Sequence, residues 1–146
     1  MPPLDERFEE ALLGAARAWR QAIDRRLKTL GISQASWSTL AAASSAGLPL
    51  SQSELAERVG VEGATMVAMV DRLARAGLVE RRPASGDRRI NRVAVTEAGA
   101  RVIEVVKAEV AATRHLLLSG ADPNKLAIAI ELLERLRSSR DRAPPQ

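Results

Sequence analysis

Residues 81–92 read RRPASGDRRINR, five arginines around a single acid, Asp87. Guanidinium groups at this density suit phosphate, through charge and through paired N–H donors. The whole chain holds 22 basic and 18 acidic residues, a net charge of +4. The segment supplies five minus one, also +4, so the remaining residues balance at 17 against 17. An excess confined to one short stretch is a binding footprint more than a solubility device. A solvated loop is the plain alternative.

A second stretch, Glu62-Gly-Ala-Thr-Met-Val-Ala-Met69, has the side chains of a helix that reads DNA. Gly63, Ala64 and Thr65 are small enough for close approach. The Thr65 hydroxyl can hydrogen-bond a base or a phosphate, and the methyls of Thr65 and Ala68 can meet a thymine methyl. Arg72, about one turn further on, suits a phosphate. Ser51, Gln52 and Met69, with Ser85, Asp87, Arg88, Arg89 and Arg92 of the arginine-rich segment, complete the candidate DNA-contacting set. For the helix, the alternative is ordinary core packing of small residues.

No enzyme is expected. One histidine and no cysteine leave no zinc cluster, and nothing reads as a nucleophile–base constellation or a phosphate-binding Gly-rich loop. No metal or cofactor is expected either. The absence of cysteine fits a cytoplasmic protein. No apolar run approaches a membrane span, and the opening MPPLDERFEE lacks the features of a signal peptide.

The elements that must position these residues are mostly helical. Leu4, Phe8, Leu12, Ala16, Trp19, Ile23, Leu27 and Leu30 recur in steps of three and four, which predicts an amphipathic helix over 4–30. Such a helix is about 40 Å long, more than a small monomer can cover by itself. Gly31 stops it, and Ser33 caps a helix through Trp37 and Leu40. Ser51 and Glu54 have capping-box spacing, with Leu50 and Leu55 as the staple. Gly60 ends that short helix. Another starts near Glu62, with Met66, Val70 and Leu73 inward, and closes at Gly77. The pair is a helix-turn-helix.

The stretches LVERR and INRVAV, joined by PASGDRR, then predict a hairpin with a longer loop. A hairpin directly after a helix-turn-helix is a winged helix. Thr96 caps a long helix bearing Val102, Val106, Val110 and Leu117, ending near Gly120. Asp122-Pro123 opens a last helix through Leu126, Ile130, Leu133 and Leu136. The expected class is mainly α, an α+β winged helix. The expected organisation is a single domain over 1–146: winged helix-turn-helix at about 33–96, flanking helices at 4–30 and 97–138, and a disordered tail at 139–146.

Read together, DRRINRVAVT resembles the D-x-R-x-x-x-hydrophobic-x-hydrophobic-T wing signature of the MarR/SlyA family of bacterial winged-helix regulators. SQSELAERVGVEGATMVAMVDRLARAGLVERR resembles the part of that family that precedes the wing, including Asp71-Arg72-Leu73 and Gly77-Leu78. The resemblance covers about residues 5 to 140. It implies a homodimer built by the terminal helices, which presents two winged helices to a palindromic operator on double-stranded DNA. It also implies a regulator, most often a repressor, resident in the bacterial cytoplasm and on the nucleoid when bound.

The family further implies that Asp87 pairs with Arg89 and directs it. It implies a site for a small aromatic or phenolic effector, which by position Trp19, Ile23, Trp37, Leu40 and His115 would line, with core packing as the competing role of each. This chain has Ala68 where related recognition helices often carry an arginine. The rival readings are a winged-helix protein-interaction module and a weakly specific architectural DNA-binding protein.

Overall fold

The computed structural model describes residues 1–84 and 86–139, and of positions 84 and 87–90 the backbone alone. Of the expected tail at 139–146, residues 140–146 lie outside the described residues. The chain divides into two units, Met1–Thr113 and Arg114–Gln146. In order, the elements are α1 (Leu4–Thr29), α2 (Gln34–Ser45), β1 (Leu50–Ser51), α3 (Gln52–Val59), α4 (Gly63–Arg75), β2 (Val79–Ala84), β3 (Asp87–Val95), α5 (Glu97–Leu117) and α6 (Pro123–Ser138).

In the first unit, α1 buries only the end of its apolar stripe. Ile23 and Leu27 join Val106 of α5 in a cluster to which Leu30, Ile32, Trp37, Val102 and Val110 add partial cover. Arg26 donates to Glu109 through Nε at 2.8 Å and through Nη2, fastening α1 to α5 beside that cluster. Toward its N-terminus the same helix leaves Leu4, Phe8, Leu13 and Trp19 exposed.

Short-range capping builds the helix-turn-helix. The Ser33 hydroxyl oxygen accepts from the Ser36 amide at 3.1 Å at the start of α2. The Ser51 hydroxyl oxygen accepts from Glu54 at 3.2 Å at the start of α3, while Leu50 and Leu55 are both buried as a staple requires. The Glu54 carboxylate goes to Arg92, at 3.7 Å, instead of completing the capping box. Leu40, Leu55, Met66, Met69, Val70 and Leu73 from α2, α3 and α4 meet Val79 and Val93 of the sheet in one core.

The sheet is antiparallel, in the order β1-β3-β2. Two features differ from expectation. Leu50 and Ser51 form a third strand, opposite Val93 and Arg92, too short to show a period in sequence. The strands extend into the expected loop: the regular register ends with Pro83 opposite Asn91, and beyond a register shift β2 runs to Ala84, opposite Asp87 where β3 begins. Because β2 is an edge strand, the proline does not prevent pairing.

The sheet is joined to α4 and α5 at one junction. Gly77, at φ +76°, ends α4 with the two bonds of a Schellman motif: its amide donates to Ala74 O and that of Leu78 to Leu73 O, both at 3.0 Å. The Thr96 amide donates to Leu78 O at 3.1 Å and its hydroxyl to Gly77 O at 2.6 Å. The same hydroxyl oxygen accepts from Gly99 N at 3.0 Å, capping α5.

The second unit holds the end of α5 and α6. Asp122 caps α6 by accepting from Asn124 N at 2.9 Å, with Pro123 in the first turn. No residue of α6 is buried, and Ile128, Ile130, Leu132, Leu133 and Leu136 are all exposed. No helix among the described residues is long and apolar enough to cross a membrane.

A β-carbon on Gly99 would stand 2.1 Å from the Leu78 carbonyl oxygen and 2.9 Å from Val95 Cγ1. Backbone at that distance cannot swing aside. Gly99→Ala is expected to destabilise the protein by about 1–3 kcal/mol, as overpacking does, measured as a lower urea midpoint with the m-value unchanged.

Candidate nucleic-acid interface

The face α4 shows to solvent follows from its period. Met66, Met69, Val70 and Leu73 point into the core, which turns Gly63, Ala64, Thr65, Ala68 and Arg72 outward, with Val67 41% exposed beside them. Met69 therefore leaves the expected DNA-contacting set. It is 5% exposed, and its sulfur accepts from Ser36 Oγ at 3.5 Å, so its surface is already taken. A β-carbon on Gly63 would meet nothing within 4 Å, so the fold itself has no use for a glycine there. Glu62, the N-cap, makes no side-chain cap bond, so no cap side chain takes up the first amides of α4. Such amides carry the positive end of the helix dipole.

Arg81 of β2 makes the most connections beneath this face. Its Nε donates to Gln52 Oε1 at 2.9 Å, and its Nη2 lies 2.6 Å from Asp71 Oδ1 and 3.5 Å from the Val67 carbonyl oxygen. Gln52, expected at DNA, thus has its side-chain oxygen engaged inside the protein, while Ser51 is the α3 cap. Arg82 donates to Glu80 through Nε at 2.7 Å and through Nη2. Arg92 donates to Pro49 O at 3.1 Å and faces Glu54, yet stays 42% exposed along its side chain.

These pairs change the charge reading. Arg81, Arg82 and Arg92 meet Asp71, Glu80 and Glu54, all from outside residues 81–92. Adding three acids to a segment of +4 leaves +1. The stretch is less a cloud of free charge than its sequence suggests. Ser85, and the side chains of Asp87, Arg88 and Arg89, lie outside the described residues, so the pairing of Asp87 with Arg89 does too.

Of the effector candidates, Ile23 (8% exposed) belongs to the α1–α5 cluster and Leu40 (0%) to the winged-helix core, while Trp37 packs partly against both. Trp19 is 37% exposed on α1. His115 is exposed in the second unit. The structure therefore brings Ile23, Trp37 and Leu40 into neighbouring packing. An open groove of about 280 Å³ beside the sheet is lined by other residues, among them Ser44, Leu48, Pro49 and Arg82.

Sequence reasoning passed over Arg81 and Asp71 as site residues, although one signal was present. Strand alternation puts Arg81 on the same face as the buried Val79. A charged side chain directed inward needs a partner. Only the fold reveals which partners: Asp71 and Gln52 are 10 and 29 positions away along the chain.

Comparison with known proteins places this geometry. The sequence model of the MarR family matches residues 30–90, from the end of α1 into β3. The solved structure of transcriptional regulator PA3341 is 34% identical, covering 93% of this chain and 99% of that one at a TM-score of 0.77. CouR from Rhodococcus jostii RHA1, solved bound to p-coumaroyl-CoA, is 25% identical over 93% of this chain and 95% of its own, with a TM-score of 0.76. AbsC, a MarR family transcriptional regulator from Streptomyces coelicolor, shares the fold at a TM-score of 0.82 with 18% identity, covering 94% of this chain and 95% of its own. An outward helix face of small residues, a three-stranded wing beside it and a 34% identical regulator matched along both chains lead to one assignment: this chain belongs to the MarR family of transcriptional regulators.

Proposed function

We propose that two copies of this chain bind an inverted-repeat operator in double-stranded DNA as a repressor, each inserting α4 into a major groove. The observation that carries this reading is the outward stripe Gly63, Ala64, Thr65 and Ala68 on a helix whose opposite face is buried in the core. Small side chains let the helix backbone come close to base edges, and the first amides of α4 can bind a phosphate. Arg72, and Arg92 through its remaining exposure, supply further phosphate contacts. Ser51 and Gln52 contribute at the α3 N-terminus. The acid partners of Arg81, Arg82 and Arg92 favour this reading over an architectural binder, which would depend on unpaired charge.

The pairing of two copies is supported by exposed apolar surface. Leu4, Phe8 and Leu13 of α1 are uncovered in the first unit, and Ile128, Ile130, Leu132, Leu133 and Leu136 of α6 are uncovered in the second. A protein–interaction module would also explain exposed side chains, and DNA binding separates the two. On a dimer, half-sites lie about 34–36 Å apart or at a multiple of it. Footprinting the full chain on an operator selected from a random pool is expected to protect two symmetric half-sites. A single asymmetric half-site would count against the proposal. Thr65→Ala is expected to change preference at one or two base positions per half-site. Arg88→Ala is expected to weaken operator and random DNA alike and to reduce the salt slope by about one.

In the wing, Asp87 is proposed to hold Arg89 in a charge-assisted pair aimed at the minor groove. If the segment were only a cloud of charge, Asp87→Ala would tighten binding by removing a repulsive group. If Asp87 orients Arg89, the same change leaves a long side chain to be ordered on DNA, which costs about 0.5–1.5 kcal/mol. Weaker operator binding by Asp87→Ala is expected in equilibrium titrations, and tighter binding would refute the orienting role.

A small aromatic or phenolic effector that releases the operator is part of the proposal. Its support is the 25% identical CouR, whose structure holds p-coumaroyl-CoA, together with Trp37 between two core clusters. Titration with aromatic acids is expected to shift the emission of Trp19 or Trp37 and to weaken operator binding over the same concentrations, since the two affinities are reciprocally coupled. An emission change with operator affinity intact would make the compound incidental.

A further inference from the structure

Arg81 is the only arginine of the segment 81–92 whose described contacts reach both helices of the helix-turn-helix. It donates from two separate branches of its guanidinium: Nε to Gln52, the first residue of α3, and Nη2 to Asp71 and the Val67 carbonyl oxygen of α4. Val67 lies between Thr65 and Ala68, in the turn that carries the reading face, and Asp71 lies one turn further on. The Arg81 side chain is 27% exposed and its charge is answered by a carboxylate at 2.6 Å. A guanidinium placed in this way has little left to offer a phosphate, and what it does is set where α4 stands relative to α3 and the wing.

We propose that Arg81 is a positioning residue for sequence discrimination, acting through Asp71 and Gln52 and neutralising no phosphate. The proposal rests on the reading that α4 is the helix that reads DNA. Discrimination between bases depends on donor–acceptor alignment in the major groove, whereas the salt slope depends on the number of phosphates neutralised. A positioning residue therefore moves the first quantity and leaves the second alone. A phosphate contact does the opposite. Lysine at this position would keep the charge, but its single ammonium cannot serve the Gln52 and Asp71 sides as a planar fork does.

The experiment uses the full chain, the operator selected from a random pool by the wild-type protein, and a scrambled duplex of equal length. Both are titrated at two or more salt concentrations. Arg81→Lys is expected to lower the ratio of operator to scrambled affinity by about tenfold, comparable to the loss of one base contact. Its affinity for the scrambled duplex and its salt slope are expected to stay at the wild-type values. Asp71→Asn keeps Arg81 and makes the protein more positive, and it is expected to lower the same ratio. This second variant leaves the proposal open to test if lysine at position 81 disturbs folding, which circular dichroism and thermal melting of each variant reveal. The proposal is overturned if Arg81→Lys and Asp71→Asn both keep the wild-type ratio. It is equally overturned if Arg81→Gln weakens both duplexes alike and reduces the slope by about one. If the wild-type protein itself fails to distinguish the duplexes, the reading of α4 falls, and that result comes from the wild-type titration alone.

Discussion

The Leu78 carbonyl oxygen accepts the Thr96 amide at 3.1 Å and leaves no space for a β-carbon on Gly99. Four elements meet at this point: α4 has just ended, β2 is about to begin, β3 has just ended and α5 is about to begin. The Thr96 hydroxyl is used in both directions, donating to Gly77 O and accepting from Gly99 N. Serine could form these bonds and valine neither, so the threonine at the end of the wing motif has a physical role independent of DNA. Because Ile103 and Val106 of α5 pack into the two clusters of the first unit, the junction links α4 to α1 as well as to the wing. A displacement of α5 would be felt at the end of α4 through hydrogen bonds and packed backbone.

The arginines of residues 81–92 share one residue type but not one task. Arg82 stands directly opposite Arg92 across the β2–β3 ladder, a juxtaposition that is destabilising when unanswered. Glu80 answers the first and Glu54 the second. Since Glu54 belongs to α3, the pair with Arg92 and the bond of Arg92 to Pro49 O also hold the central strand β3 against the start of α3. Exposed pairs of this kind contribute about 0–1 kcal/mol each, so their weight lies in geometry more than in stability. The positive charge that an approaching phosphate meets is smaller than the arginine count implies. Under the proposed function, shape and alignment of α4 carry correspondingly more of the discrimination.

Local chemistry was legible in the sequence to the residue. Ser33, Ser51, Thr96 and Asp122 cap helices where the spacing of polar and apolar residues places them, because a cap is decided within four positions. The inner stripe of α4 was legible in part. Met66, Val70 and Leu73 are buried as read, but Met69 sits three residues from Met66 and four from Leu73 and shares their face. Its place beside Ala68, in the stretch that holds Gly63, Ala64 and Thr65, drew it toward DNA, although it is 5% exposed. Strand β1 was invisible because two residues have no period. The Arg81 network was invisible because it joins α3, α4 and β2 across positions that only the folded chain brings together. An effector site has the same difficulty in greater degree, since Ile23, Trp37 and Leu40 read identically as core and as lining.

What the terminal helices leave uncovered sets the last constraint. A helix with Ile128 at 67% exposure and no buried residue at all is not held by packing within its own unit. Short helices draw most of their stability from an apolar face in contact with something else. Ser33, Gly60 and Gly77 give α2, α3 and α4 well-formed ends, and those helices close around a shared core. By contrast α6 has a good N-cap and no core of its own. In the proposed dimer that face becomes interface, of the large and apolar kind that characterises permanent assemblies. Folding of the terminal helices then depends on protein concentration, because a partner that binds only the folded chain stabilises it by mass action. In that proposed dimer the same residues would fix the two α4 helices relative to one another. Under the proposed function, the apolar positions of α1 and α6 and the small residues of α4 are thus two parts of one requirement: recognition of a repeat needs a spacing, and only the pairing of two chains can set it.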